Sequence, residues 1–264
     1  MFRRLSRWAV AAPIALALAA GLSGCGAGDP ATSASSGESS GDGATTLTVF
    51  AAASLTGTFT ELGRTFEAAH PGTTVRFNFG SSATLAQQIV EGAPADVFAA
   101  ASPATMKTVT DASLAGTPVT FVRNVLQIAV PADNPAKVDG LSDLADPKVK
   151  VALCAEQVPC GAAAVKALDA AGLKVTPVTL EQDVKATLAK VSLGEVDAAL
   201  VYRTDVISSG GKVSGIDFPE AEKAINDYPI ATLSKAPEAA RRFVDLVLSQ
   251  QGEDVLTKAG FQAP

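Results

Sequence analysis

The chain has 264 residues, 47% of them hydrophobic, and a formal charge of −6. That length suits two lobes with separate cores better than one small domain. Net acidity makes the chain a poor candidate for binding nucleic acid, because that affinity rests on neutralising phosphates.

Met1–Gly24 reads as an export signal. Arg3, Arg4 and Arg7 form a basic start, and "AVAAPIALALAAGL" is an apolar run too short and too early for a spanning helix of the mature protein. "LSGC", Leu22–Cys25, is a lipobox: small residues before a cysteine, Cys25, that is lipidated and becomes the first residue. Residues 25–45 form a Gly/Ser/Thr/Ala-rich stretch without large apolar side chains, the composition of a flexible tether. Loss of the signal removes three arginines and moves the formal charge from −6 to about −9. The expected location is extracytoplasmic, on the membrane through a lipid.

From Thr46 strand-like and helix-like runs alternate. "LTVFAAAS" is an unbroken apolar run, read as a buried strand. Residues 58–70 read as an amphipathic helix with Phe59, Leu62 and Phe66 on one face, closed by "HPG". "TTVRFNFGS" is a second strand, 84–91 a helix, and "ADVFAAAS" a third strand. Ser102 and Pro103 then make an N-cap and first helical position. "FVRNVLQIAVP", 121–131, reads as one long strand crossing between lobes. A second series follows: "KVKVALC", a helix over 161–171, "KVTPVTL", a helix over 183–191, and "VDAALVY". "DYPIATL" is a returning strand, and 237–260 is helical, with Ala240, Phe243, Val244, Val247 and Leu248 on one stripe. The alternation predicts an α/β fold with mainly parallel sheets and helices on both faces. The expected division is 46–121 with 228–264 as lobe 1, and 122–227 as lobe 2.

Ligands on such sheets gather at the carboxyl ends of strands, among helix N-termini. Ser54 and Ser82 both stand there, each after small residues (Ala51–Ala53; Gly80, Ser81) that let a ligand approach the backbone. A plain N-cap is the ordinary use of either serine alone; two such places point to an anion held at helix starts. A catalytic serine would need His70, the sole histidine, which lies at the far end of the helix that Ser54 begins. Asp96 and Asp197 read as caps where strands start rather than as catalytic carboxylates. Tyr202, ending "AALVY", reads equally as a core residue at the rim.

With Cys25 taken by the lipobox, Cys154 and Cys160 remain. In an oxidising compartment a disulfide is the default for them, closing "CAEQVPC" and contributing roughly 2–3 kcal/mol. Two reduced structural cysteines stay open as an alternative. A metal pair is disfavoured by the distance in sequence to His70.

The motifs "VFAAASLT", "FGSSATLAQQIVEGAPADVFAAAS", "VPCG", "LEQDVKATLAKV" and "ALVYRTD" resemble, in order, those of the periplasmic molybdate-binding proteins of bacterial ABC importers, over residues 47–264. The resemblance implies a type II periplasmic-binding-protein fold: two lobes, a two-strand hinge, a ligand cleft, no cofactor and no catalysis. It implies that Ser54 and Ser82 each give a hydroxyl and an N–H, Cys160 and Val184 their N–H groups, and Tyr202 its phenol. Cys160 departs from the small residue usual there. The implied ligand is molybdate, with tungstate also expected. The implied partners are an ABC permease and, through the lipid, the membrane, with a monomer expected. Sulfate or thiosulfate on the same fold, or an enzyme using Ser54 or Asp96, are the rival readings.

All these groups are neutral donors. A tetrahedral dianion offers only acceptors and is satisfied by them. Hydrogen phosphate would bury an unpaired proton at a cost of about 1–3 kcal/mol.

Overall fold

The computed structural model describes residues 45–264; the signal, the lipobox with Cys25 and the tether lie outside them. The strands are β1 (Thr45–Ala52), β2 (Thr73–Gly80), β3 (Val97–Ala99), β4 (Val119–Asn124), β5 (Leu126–Pro131), β6 (Val151–Cys154), β7 (Thr179–Glu181), β8 (Ala198–Tyr202), β9 (Val213–Ile216) and β10 (Asn226–Thr232). The helices are α1 (Thr56–Ala69), α2 (Ser82–Val90), α3 (Pro103–Asp111), α4 (Pro159–Ala171), α5 (Val184–Ser192), α6 (Arg203–Ser208), α7 (Glu238–Leu248) and α8 (Gln250–Lys258).

The strands form two five-stranded sheets, ordered β2-β1-β3-β10-β4 and β7-β6-β8-β5-β9. Within each sheet four strands point one way. The reversed strand is β10 in the first, antiparallel to β3 and β4, and β5 in the second, antiparallel to β8 and β9. The predicted α/β class with mainly parallel strand directions therefore holds for both sheets. The likeness extends to single residues. Asp96, just before β3, accepts the Thr48 amide at 2.7 Å. Asp197, just before β8, accepts the Lys150 amide at 2.8 Å. Each carboxylate, standing just before its own strand, ties that strand to a neighbouring one through one oxygen, as expected of a cap.

The chain changes sheets twice, after β4 and before β10. The expected long strand over 121–131 is two strands. Asn124 turns its own side-chain oxygen to the Val125 amide, 3.1 Å away, which removes that amide from any ladder. Val122, Arg123 and Asn124, and likewise Asn226 and Asp227, pair with one another in the first sheet. They therefore lie in the first sheet, although they fall within the span 122–227 expected for lobe 2.

Two other elements are shorter than their apolar runs. Pro177 cannot donate to a ladder, and β7 begins only at Thr179. The C-terminal helical run breaks at Ser249, whose backbone is extended and whose hydroxyl caps α8 by accepting the Gly252 amide at 3.3 Å.

Each sheet has its own core. The first packs α1, α7 and α8 over one face through Phe59, Phe66, Phe77 and Phe243, and α2 and α3 over the other around Phe50, Phe98 and Met106. The second is mainly aliphatic, built of Val, Ile, Leu and Ala from β5, β6 and β8 with α4 and α5, and joined by Tyr202 and Phe218. Ala53, which follows β1, packs into this second core and joins the lobes beside the cleft.

Candidate functional site

Helix N-termini from both lobes converge on one small cavity. It is lined from the first lobe by Ala52, Ala53, Ser54, Gly80, Ser81, Ser82 and Ala101, and from the second by Val158, Pro159, Cys160, Asp183, Val184 and Tyr202. All five residues expected at the site (Ser54, Ser82, Cys160, Val184 and Tyr202) stand on it. Its volume is about 20 Å³, where roughly 10–15 Å³ by the same measure holds one water. That is the scale of a single compact solute, not of a sugar or an amino acid.

The local structure explains why donors face this space. The first turn of a helix has N–H groups without intrahelical acceptors, and carries partial positive charge. β1 runs straight into a 3-10 turn, Ala53–Leu55, with no side-chain cap. Ser81 is the N-cap of α2, again with no side-chain cap bond. α4 begins at Pro159, which has no N–H to offer, so its first amide is that of Cys160. α5 is capped by Asp183, whose Oδ1 accepts the amides of Lys185 at 2.8 Å and Ala186 at 2.9 Å. The cap leaves out Val184, the residue on the cavity wall.

Four hydroxyls belong to the lining. Ser82 Oγ accepts the Ala101 amide at 3.0 Å, so its own hydrogen remains to be given. Ser54 Oγ lies 2.9 Å from the Tyr228 hydroxyl. Ser81 Oγ and the Tyr202 hydroxyl are buried and neither has a partner in hydrogen-bond geometry, the Tyr202 hydroxyl having only that of Tyr228 as a neighbour. Tyr202 is 1% exposed and Ser81 7%; a buried polar group left unpaired costs about 1–3 kcal/mol. Two such groups, one from each lobe, on one cavity are a binding site's signature rather than a folding defect.

Charge is arranged to the same end. No Lys or Arg lines the cavity, and its one acid, Asp183, turns its carboxylate to the helix amides. Burial pushes the Tyr202 phenol well above the ordinary tyrosine range, so it remains a donor across physiological pH. Beneath Tyr202, fully buried Asp205 accepts the Tyr202 amide through Oδ2 at 3.3 Å, and its Oδ1 forms an ion pair with the Lys185 ammonium at 3.0 Å. Burial raises the Asp205 carboxyl and Lys185 opposes that rise.

The remaining candidates lie elsewhere. His70 closes α1 and bonds the Phe66 carbonyl through Nδ1 at 2.9 Å, outside the cavity lining. Among the described residues no cluster of His, Cys, Asp or Glu could hold a metal ion, and no helix is long and apolar enough to cross a membrane. Cys154 and Cys160 are joined in a disulfide, which ties the end of β6 to the first turn of α4. Gly161 lets the helix press onto the turn it leaves: a Cβ there would lie 1.9 Å from the Ala155 carbonyl oxygen. Sequence reasoning misses Ser81 as a site residue. The signal that could find it is its place immediately before α2, which makes it the N-cap in place of Ser82.

The model of the bacterial extracellular solute-binding protein family matches residues 47–262. The chain belongs to that family. This solute-binding protein is 42% identical over 250 residues to the molybdate-binding protein ModA of Mycobacterium tuberculosis, covering 94% of this chain and 95% of the relative. It is 34% identical over 227 residues to the putative ABC transporter substrate-binding lipoprotein YvgL of Bacillus subtilis, covering 83% and 86%. Its fold matches the periplasmic molybdate-binding protein of Azotobacter vinelandii with a TM-score of 0.72 at 22% identity, over 83% of this chain and 99% of that one. Membership places the chain among proteins that bind solutes outside the cytoplasm and do not transform them.

Proposed function

We propose that this protein captures molybdate, and tungstate with it, and delivers the ion to an ABC permease while held to the membrane by a lipid on Cys25. The observation that carries the reading is the pair of unpartnered buried hydroxyls, Ser81 Oγ and Tyr202 OH, on a cavity of about 20 Å³ without a cation. Ser54, Ser81, Ser82 and Tyr202 give hydroxyl hydrogens, and the helix starts at Ser54, Ser82, Cys160 and Val184 give amides. Hydrogen bonds to a charged group contribute roughly 1.5–3 kcal/mol each. Several of them, aided by helix dipoles, offset the desolvation of a dianion that no side-chain cation neutralises. The acidity of the body does not oppose this, because charges beyond about 8 Å are screened at physiological salt.

The relatives named for molybdate support this choice of anion, and the lipoprotein relative supports the anchor. The protein acts as a monomer in this reading, with two lobes hinged at Val125 and before Asn226. Equilibrium dialysis with metal analysis, alongside thermal shifts with molybdate, tungstate, sulfate and phosphate, tests it. Molybdate and tungstate are expected to be retained and to raise Tm. Stabilisation by sulfate alone overturns the proposal in favour of a sulfate or thiosulfate carrier.

A further inference from the structure

A hydrogen-bonded chain leads from the cavity into the hinge. Ser54 Oγ meets the Tyr228 hydroxyl at 2.9 Å. Asn124 Nδ2 reaches the Tyr228 oxygen at 3.4 Å and Thr204 Oγ1 at 2.8 Å. Asn124 Oδ1 accepts the Val125 amide at 3.1 Å. All four side chains are buried. They come from both lobes: Ser54 follows β1, Asn124 ends β4, Tyr228 lies in β10 and Thr204 in α6.

The directions of the hydrogens follow from valence. The Val125 amide only donates, so it faces the Asn124 oxygen. That leaves the Asn124 nitrogen, also only a donor, toward Thr204 and Tyr228. Tyr228 accepts from Asn124, and the acceptor that stands in hydrogen-bond geometry for its own hydrogen is Ser54 Oγ at 2.9 Å, the Tyr202 hydroxyl being its other oxygen neighbour. Ser54 thus accepts from inside the protein, and its hydrogen is left for the cavity. A serine without that neighbour could turn, give its hydrogen away and show the cavity a lone pair.

We propose that Asn124 and Tyr228 are positioning residues that lock Ser54 as a donor to the bound anion, and so set the discrimination against protonated oxyanions. This rests on the oxyanion reading above, and assigns its selectivity to two residues outside the cavity wall. Hydrogen phosphate needs one acceptor in the cage. The lock denies it the acceptor that Ser54 could otherwise become.

The test is calorimetry on the full-length chain in mild detergent, with molybdate and inorganic phosphate titrated separately at pH values where phosphate carries one proton. In Tyr228→Phe the ratio of phosphate to molybdate Kd is expected to fall by about tenfold. Asn124→Asp goes further. The ionised carboxylate it introduces can only accept, so Tyr228 donates to it, Ser54 donates to Tyr228, and the cavity gains a lone pair. Phosphate then binds more tightly than in the wild type, and molybdate about tenfold more weakly.

A purely structural role would weaken both anions alike, so an unchanged ratio in Tyr228→Phe overturns the lock, even if Asn124→Asp fails to fold. A wild type that binds sulfate in place of molybdate overturns the choice of cargo alone. Sulfate then serves as the unprotonated anion in the same ratio. A wild type that binds no oxyanion overturns both.

Discussion

At the N-cap of a helix a serine ordinarily gives its oxygen to the first-turn amides. Ser102 and Ser249 do so, accepting from Thr105 and Gly252 at 3.3 Å each. Ser81 has the same position and makes no such bond. Its hydroxyl therefore adds nothing to α2 and is free for the ligand. Ser81→Ala should weaken oxyanion binding by about 1–3 kcal/mol while leaving stability unchanged or slightly raised, since an unsatisfied buried group is removed. Ser102→Ala should do the reverse, costing about 1 kcal/mol of stability with affinity untouched. Tyr202→Phe belongs with Ser81→Ala, because its phenol is also buried and unpartnered. Calorimetry paired with urea melts separates the two signatures. A Tyr202→Phe protein with wild-type affinity removes Tyr202 from the site.

Among elements, α5 and α6 are joined by a carboxylate that the fold holds at a cost. Asp205 is fully buried, and burial raises its carboxyl despite Lys185. A raised folded value means that its contribution to stability is complete below the unfolded value of roughly 3.9 and is lost as pH rises through the folded value. Asp205→Asn keeps an acceptor for the Tyr202 amide and cannot ionise. Its stability relative to the wild type should therefore increase as pH rises from about 4 toward neutrality, read from urea midpoints across that range. A variant that loses ground as pH rises would show the Lys185 pair outweighing burial. Apolar periodicity and the N-cap Asp183 place the starts of α4 and α5 to within a residue or two, because those signals are local. The break between β4 and β5 is not legible: the apolar run continues through it, and what ends β4 is an asparagine bonding its neighbour's amide. Tyr228 is invisible for a related reason. Its role depends on Asn124 and Ser54, 104 and 174 residues away, and no spacing within one strand carries that information.

For the two lobes together, burial dictates how the ligand arrives. Ser54, Ser82, Cys160, Val184 and Tyr202 are all less than a tenth exposed, and they come from both sides of one cavity. A solute cannot reach them while the lobes stay in contact. The segments able to move are the two crossings: the single residue Val125 between β4 and β5, and the stretch between β9 and β10. The cavity wall is shared, so an anion that fills it joins the lobes through its own hydrogen bonds. Its binding energy then opposes both opening and unfolding. At a free concentration one hundred times Kd this mass-action stabilisation is about 2.7 kcal/mol. Small-angle scattering should therefore show the radius of gyration falling when molybdate is added, and melts should show Tm rising over the same concentrations. Ser81→Ala and Tyr202→Phe each remove a contact from one lobe only. Each should shift the compaction to higher molybdate without changing its final extent. A radius that does not respond to saturating molybdate would mean that solute enters by a local route past a few side chains. The hinge would then be a fixed joint rather than the moving part of the receptor.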